Sequence, residues 1–323
     1  MIYVTSGHEH GIGLEVFLKS LSQLPPKIAR SCCLLVDQSV LRAQLKLLAW
    51  HYTLENAPTS QHFKLHYKGL RRIVTLAGIF LDHYLPRTPR STAYLRYCLS
   101  ALKPTTHDIL CTLPTSKDQL IWRKPCLGHT EWLRSYFRLP AISMNFKAFN
   151  YQILLITDHL PLAKVASAIT SDLIVKRVTS SLNGWAQYFT PIEEVYLAGI
   201  NPHAGENGLL GKEDSQVALA QQRLHKKFPH VKFIGPLPAD TMLRAYRPAA
   251  AAKQLWVFMY HDQGLTWFKG VCGLKGINLS FGLPFLRLSV DHGTAFSLYG
   301  KNTADPTGMA YVLQEAYRIS TQI

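Results

Sequence analysis

Three short runs of this chain are apolar almost throughout, and each gives way at once to a polar loop that carries a histidine. Tyr151 to Thr157 leads into Asp158-His159, Val195 to Ile200 into Asn201-Pro202-His203, and Gln254 to Tyr260 into His261. Runs of this length without polar alternation read as strands buried on both faces, which is what a parallel sheet covered by helices requires. Helical patterns over Ala163 to Thr170, Ser215 to Lys227 and Ala239 to Tyr246 fall between or beside them. Strands alternating with helices in this way predict a largely parallel α/β sheet. The amino-terminal part follows the same grammar, with a β-branched strand Ile2 to Thr5, a loop at Gly7, and an amphipathic helix opening at Gly11-Ile12-Gly13 and running to Leu24. Asp108 to Cys111 reads as a further strand. Residues 30 to 105 are sparsely marked, with Cys33 to Val36 as a strand and Val40 to Trp50 and Thr92 to Leu102 as helices.

Composition narrows the class. The 323 residues are 47% hydrophobic and 17% charged, enough apolar material for an extensive core and too much for a disordered chain. No apolar run reaches the length of a bilayer span, and the first residues enter a strand rather than a leader peptide, so a cytoplasmic protein with no membrane partner is expected. Six cysteines without CxxC spacing read as reduced thiols. The net charge of +15 is compatible with nucleic acid, acidic lipid or a small anion. With no aromatic-basic interleaving and no recognised motif, a nucleic-acid partner is not expected.

Ligands in parallel α/β sheets bind beyond the carboxyl ends of the strands. His159, His203 and His261 would all stand on that rim. Three imidazoles with an open position are what a catalytic Zn²⁺ or similar divalent ion needs. Lys269, Asn278 and Arg287, with Gly128-His129-Thr130-Glu131 before them, supply cations and polar groups suited to phosphate or carboxylate.

Gly128-His129-Thr130-Glu131, Asn201-Pro202-His203-Ala204-Gly205-Glu206 with Gly208 and Gly211, Gly235-Pro236-Leu237-Pro238-Ala239-Asp240-Thr241, Tyr260-His261-Asp262-Gln263-Gly264 and Ser289-Val290-Asp291-His292-Gly293-Thr294-Ala295-Phe296 occur in one order. Together they resemble the 4-hydroxythreonine-4-phosphate dehydrogenase (PdxA) family, most closely over residues 108 to 310. The resemblance implies a two-lobed α/β/α sandwich similar to isocitrate and isopropylmalate dehydrogenases, with a mostly parallel sheet. Its first domain would be discontinuous: residues 1–128 plus 288–323 form a cofactor-binding lobe, and 129–287 a metal, substrate and dimerisation lobe. A homodimer with its active site near the subunit interface is implied as well.

By the family pattern, His159, His203 and His261 correspond to ligands of a divalent metal (Zn, Mg or Co). His129, Thr130, Lys269, Asn278 and Arg287 correspond to contacts with a phosphorylated small-molecule substrate. Asp291, His292, Gly293, Thr294 and Ala295 belong to the loop that receives the adenosine part of NAD or NADP. The implied reaction is oxidation and decarboxylation of 4-phosphohydroxy-L-threonine to 3-amino-2-oxopropyl phosphate, a step toward pyridoxal phosphate. Related dehydrogenation of a four-carbon sugar-acid phosphate or cyclic diol carboxylate, or metal and anion binding without oxidation, are the alternatives. Lys117, Asp240 and Asp262 are the candidates for the general base, Asp262 having a second possible role in orienting a ligating histidine.

Two segments depart from the family pattern. The first loop usually reads Gly-Asp-Pro-Ala-Gly-Ile-Gly-Pro-Glu and here reads Gly7-His8-Glu9-His10-Gly11-Ile12-Gly13-Leu14-Glu15. In the tail, Ser297-Leu298-Tyr299-Gly300-Lys301-Asn302 replaces Asp-Ile-Ala-Gly-Lys-Gly.

Overall fold

A computed structural model describes residues 1–56, 61–82 and 84–322. The chain divides into two compact units, Met1–Trp132 with Pro284–Ile323, and Leu133–Leu283.

In the first unit the strands run in the order Leu286–Val290, Ile109–Thr112, Ile2–Thr5, Cys32–Val36, Ile73–Phe80, all parallel, and the last is extended antiparallel by His62–Lys68 and Tyr52–Asn56. Helices Gly13–Gln23 and Thr307–Ser320 pack on one another and bury Phe17, Leu18, Val312 and Leu313. The central strands are apolar because helices cover them; Ile109 to Cys111 and Leu286 to Leu288 are buried at every position, Arg287 included.

The second unit carries the three runs read as buried strands. Lys232–Leu237, Glu194–Ala198, Gln254–Phe258 and Tyr151–Leu155 lie side by side in parallel, followed by antiparallel Ser143–Ala148 and then Ile277–Phe281. Its core is aromatic, with Trp256 stacked on Tyr196 at 4.4 Å and Phe146 tilted against Phe268 at 5.8 Å.

Three parts of the sequence reading need correction. Ala163 to Thr170 is only a 3₁₀ turn, Leu162–Lys164, and one helical turn, Val165–Ala168. The true helix is Ser171–Tyr188, whose cap Thr170 accepts a hydrogen bond from Leu173 N; that Ser/Thr-rich start reads as loop unless the cap is recognised. Ala239 to Tyr246 shortens to a 3₁₀ segment, Met242–Ala245. The antiparallel strands Tyr52–Asn56, His62–Lys68 and Ile73–Phe80 were not read from the sequence, although His62–Lys68 alternates Lys and His with buried apolar residues; no short turn signature joins them. All six cysteines are free, and burial pushes the Cys33 thiol up to about 11. No described helix is long and apolar enough to cross a membrane.

Helix Ser171–Tyr188 sits so close to the sheet at Gly184 that an added Cβ would stand 2.1 Å from Phe281 Cγ. Gly184→Ala gains about 1 kcal/mol of helix propensity. The overpacking costs about 1–3 kcal/mol and wins. Urea denaturation is expected to show a lower midpoint for this variant.

Candidate functional site

In the second unit, the strands ending before His159 and His261 are parallel neighbours, Ile153 pairing with Trp256 and Leu155 with Phe258. Their loops leave the sheet on the same rim and are tied together there. Ile156 N and Thr157 N donate to Phe258 O and Met259 O, and Thr157 Oγ1 donates to Met259 O at 2.7 Å. The His159 and His261 rings consequently lie 5.8 Å apart. With metal–nitrogen bonds of about 2 Å, two imidazoles sharing one ion hold their ring centres about 5–6 Å apart, so the pair fits a divalent cation. His261 opens helix His261–Cys272, and its Nδ1 lies 2.6 Å from Asp262 Oδ1. A carboxylate at this distance suits an Nδ1–H donor, the tautomer that would turn Nε2 to a ligand, and this orienting role competes with service as a base.

His203 does not join this pair within the chain. Among the described residues, no group of three or more His, Cys, Asp or Glu side chains is placed to hold a metal ion. The expected three-histidine set is therefore not assembled by one chain. His203 follows Glu194–Ala198, which lies on the far side of Gln254–Phe258 from Tyr151–Leu155, two strand spacings or about 10 Å from the His159 strand.

The His203 loop is also strained. Residues 203–207 all have positive φ (52°, 53°, 77°, 44° and 56°), and only Gly205 adopts this without a Cβ penalty. At about 1–2 kcal/mol for each of the other four residues, the turn costs on the order of 5 kcal/mol. Buried Asp214 offsets much of this: Oδ1 accepts Ile200 N at 2.7 Å, and Oδ2 accepts Asn201 N at 3.3 Å and Asn201 Nδ2 at 2.9 Å. Gly205 and Gly211 let the loop close, since a Cβ at Gly205 would meet Asp214 Oδ2 at 2.8 Å and one at Gly211 would meet Asn201 Nδ2 at 2.3 Å. That requirement is the physical content of the Asn-Pro-His-Ala-Gly-Glu spacing. Backbone strain of this kind clusters at functional turns. Gln263, from the Tyr260–Gly264 motif, links the rim further: Oε1 accepts Met259 N at 2.8 Å and Nε2 donates to Gly199 O at 2.7 Å. Its bridging role had no sequence signal beyond its place beside His261.

The remaining expected residues of this unit are spread out. Lys269 is exposed on the helix that His261 begins, and Asn278 is half-buried on Ile277–Phe281. Asp240 is exposed in the turn before Met242–Ala245.

In the first unit, His129 and Thr130 open helix His129–Phe137, whose start is fixed by Glu131 Oε2 accepting Leu127 N at 2.6 Å. His129 Nε2 is buried without a hydrogen-bond partner among the described residues. Burial and the nearby Arg287 charge hold its pKa well below the usual imidazole value, so the ring is neutral. Arg287 is itself buried; Thr112 Oγ1 accepts from its Nε at 3.1 Å and from its Nη2 at 2.6 Å. Burial pulls its pKa down to about 10, opposed by Cys111. A buried cation near a neutral imidazole can receive an anion when the unused ring nitrogen carries the proton. Lys117 stands exposed in the 3₁₀ turn Lys117–Gln119.

The two segments that depart from the family pattern meet here. Ile12 N donates to Thr294 O at 3.0 Å, His8 meets Phe296 edge-on at 4.8 Å, and His10 meets Tyr299 edge-on at 5.4 Å. Asp291 to Ala295 form the loop leading into this contact, with open space around Gly293 and Ala295 at φ 45°. Behind it, buried Lys19 donates to Glu15 Oε1 at 2.6 Å and to Asn302 O and Ala304 O at 3.0 and 3.3 Å, pinning the tail. The Glu-to-Lys spacing of four on a largely buried helix could have flagged that pair.

A family described as "Pyridoxal phosphate biosynthetic protein PdxA" matches residues 29–316. The 4-hydroxythreonine-4-phosphate dehydrogenase of Sulfurihydrogenibium sp. (strain YO3AOP1) is 29% identical over 319 residues, covering 94% of this chain and 93% of that protein. The D-threonate 4-phosphate dehydrogenase of Cupriavidus necator is 31% identical over 337 residues, covering 100% of this chain and 98% of that one. Among solved structures, 4-hydroxythreonine-4-phosphate dehydrogenase from Klebsiella pneumoniae superposes with a TM-score of 0.74 at 25% identity over 99% of both chains. An isocitrate dehydrogenase from Methylococcus capsulatus shares the fold, with a TM-score of 0.50 at 12% identity over 99% of this chain and 88% of its own.

Asp214→Ala is expected to destabilise the protein by about 3 kcal/mol in urea titration, because it leaves buried amides unpaired beneath a strained turn. His129 makes stability fall on acidification. The unfolded chain binds a proton near pH 6.5 that the folded ring refuses, so the full contribution is present above that pH and is lost below it, by up to about 1.4 kcal/mol per pH unit. Against wild type, His129→Asn should flatten stability measured between pH 7.5 and 5.5.

Proposed function

Because this chain belongs to the PdxA family, we propose that it is an NAD(P)-linked, metal-dependent dehydrogenase that oxidises and decarboxylates 4-phosphohydroxy-L-threonine to 3-amino-2-oxopropyl phosphate. The observation that carries the reading is the buried Arg287 cation beside neutral His129 with its unused Nε2. Together with Thr130 they bind an anionic group of the substrate. Lys269 adds an exposed cation and Asn278 a neutral donor for the remaining polar groups. By holding the substrate, these residues convert a bimolecular encounter into an oriented one, which is their chief contribution to rate.

His159 and His261 hold the divalent cation, with Asp262 keeping the His261 lone pair turned outward. When bound, such an ion polarises substrate oxygen and stabilises negative charge as carbon dioxide leaves. The first unit takes the dinucleotide at Asp291 to Ala295, where the space around Gly293 and the half-exposed Phe296 ring suit a flat base. Proton transfer falls to Lys117 or Asp240, since Asp262 is engaged with His261. The active chain is a cytoplasmic homodimer with the site near the subunit interface, and His203 of the partner subunit completes the ligand set that one chain leaves at two.

The full-length similarity to a D-threonate 4-phosphate dehydrogenase favours a second reading with the same chemistry, in which a hydroxyl replaces the substrate amine.

Reduced-nicotinamide absorbance with each phosphate ester, NAD⁺ or NADP⁺ and Co²⁺ should rise with 4-phosphohydroxy-L-threonine and stop on chelation. A rise only with D-threonate 4-phosphate selects the second reading, and no rise with either overturns both. His203→Ala and His261→Ala chains, each inactive alone, should regain up to about a quarter of wild-type activity when mixed and re-paired, because one of the two sites in each mixed dimer is intact. Continued inactivity of a verified mixed dimer counts against the shared ligand set.

A further inference from the structure

Behind the His159 loop lies a charged cluster that the proposed chemistry leaves unused. Asp158, one residue before His159, receives Arg134 Nη1 at 2.6 Å, with side-chain exposures of only 18% and 14%. Arg134 Nε also donates to Ile142 O at 3.0 Å, so the guanidinium ties the loop to the chain entering strand Ser143–Ala148. A third member, Arg177, is 7% exposed on helix Ser171–Tyr188, and its Nε and Nη1 have no hydrogen-bond partner among the described residues. Burial pulls Arg177 down to about 9, helped by Arg134 and opposed by Asp158. One carboxylate thus stands against two guanidiniums. Isolated buried charge is among the most costly things a fold can hold, so the acid is firmly fixed where it is.

Fixing Asp158 fixes its neighbour. The loop has one stitch on its strand side, Thr157 Oγ1 to Met259 O, and Asp158 supplies the opposing one. Leu160 N closes back onto Asp158 O at 2.8 Å, leaving His159 at the apex of a turn gripped on both sides. We propose that Asp158, clamped by Arg134 and shared with Arg177, is a positioning residue that sets where the His159 imidazole stands for a divalent cation. The inference rests on the metal reading above and adds to it a device outside the ligand set. Groups that orient metal ligands commonly change affinity 10–100-fold when removed.

The test is titration of the full-length protein with Co²⁺, followed by its visible absorption, with bound metal counted by elemental analysis and folding checked by thermal midpoint. Asp158→Asn should weaken Co²⁺ binding about 10–100-fold. Arg134→Met should do the same, and Arg134→Lys, which keeps the charge toward Asp158, should recover most of the loss. Asp172→Asn breaks the exposed pair with Arg223 in the same unit, and it should bind Co²⁺ as wild type does. If the unmodified chain fails to bind Co²⁺, the metal reading falls and takes this inference with it. If wild type binds and folded Arg134→Met or Asp158→Asn binds equally well, the inference alone is overturned. Loss of affinity in Asp172→Asn equal to that in Asp158→Asn would also overturn it, since any charge removed from the unit would then suffice.

Discussion

Strands covered on both faces leave polar side chains little room except at their ends. Gln254–Phe258 is buried at every position, and so are Ile109–Thr112 and Leu286–Val290. Loops at the strand ends escape that burial, and parallel alignment puts successive ends on one rim, while Arg287 is the polar exception held inside a strand. His159 and His261 follow from that constraint: they end adjacent parallel strands, and the Thr157–Met259 bonds bring their loops to a spacing that one cation can bridge.

The same rim shows two ways of holding a loop in an unfavourable state. Around His203 the cost is conformational, a run of left-handed residues, and it is met by Asp214 accepting several amides and by glycines where a Cβ would collide. Around His159 the cost is electrostatic, a buried excess of positive charge, and it is met by placing one carboxylate against two guanidiniums. Both are the kind of local expense that persists at working sites and not in ordinary loops.

In the first unit, Arg287 and His129 follow a related logic on a smaller scale. Desolvation keeps the imidazole neutral while the guanidinium stays charged, so one donor-acceptor group and one cation are buried near each other. The altered first loop and tail are coupled too. His8 and His10 face Phe296 and Tyr299, so the two departures from the family pattern are the two sides of one contact.

What the residues alone determined was class and cast. Unbroken apolar runs at Tyr151, Val195 and Gln254 implied a parallel α/β sheet because only strands buried on both faces tolerate them, and short-range motifs named most of the residues above. Helix Ser171–Tyr188 stayed hidden, since its first turn is made of residues that serve equally well in loops. Tertiary structure decided which of the named residues meet. Strand order cannot be read from local pattern, and it is strand order that joins His159 to His261 while leaving His203 one strand farther out. Likewise Asp158, Arg134 and Arg177 are ordinary charged residues in sequence, widely separated, and become a unit only when burial removes the water that would otherwise screen them.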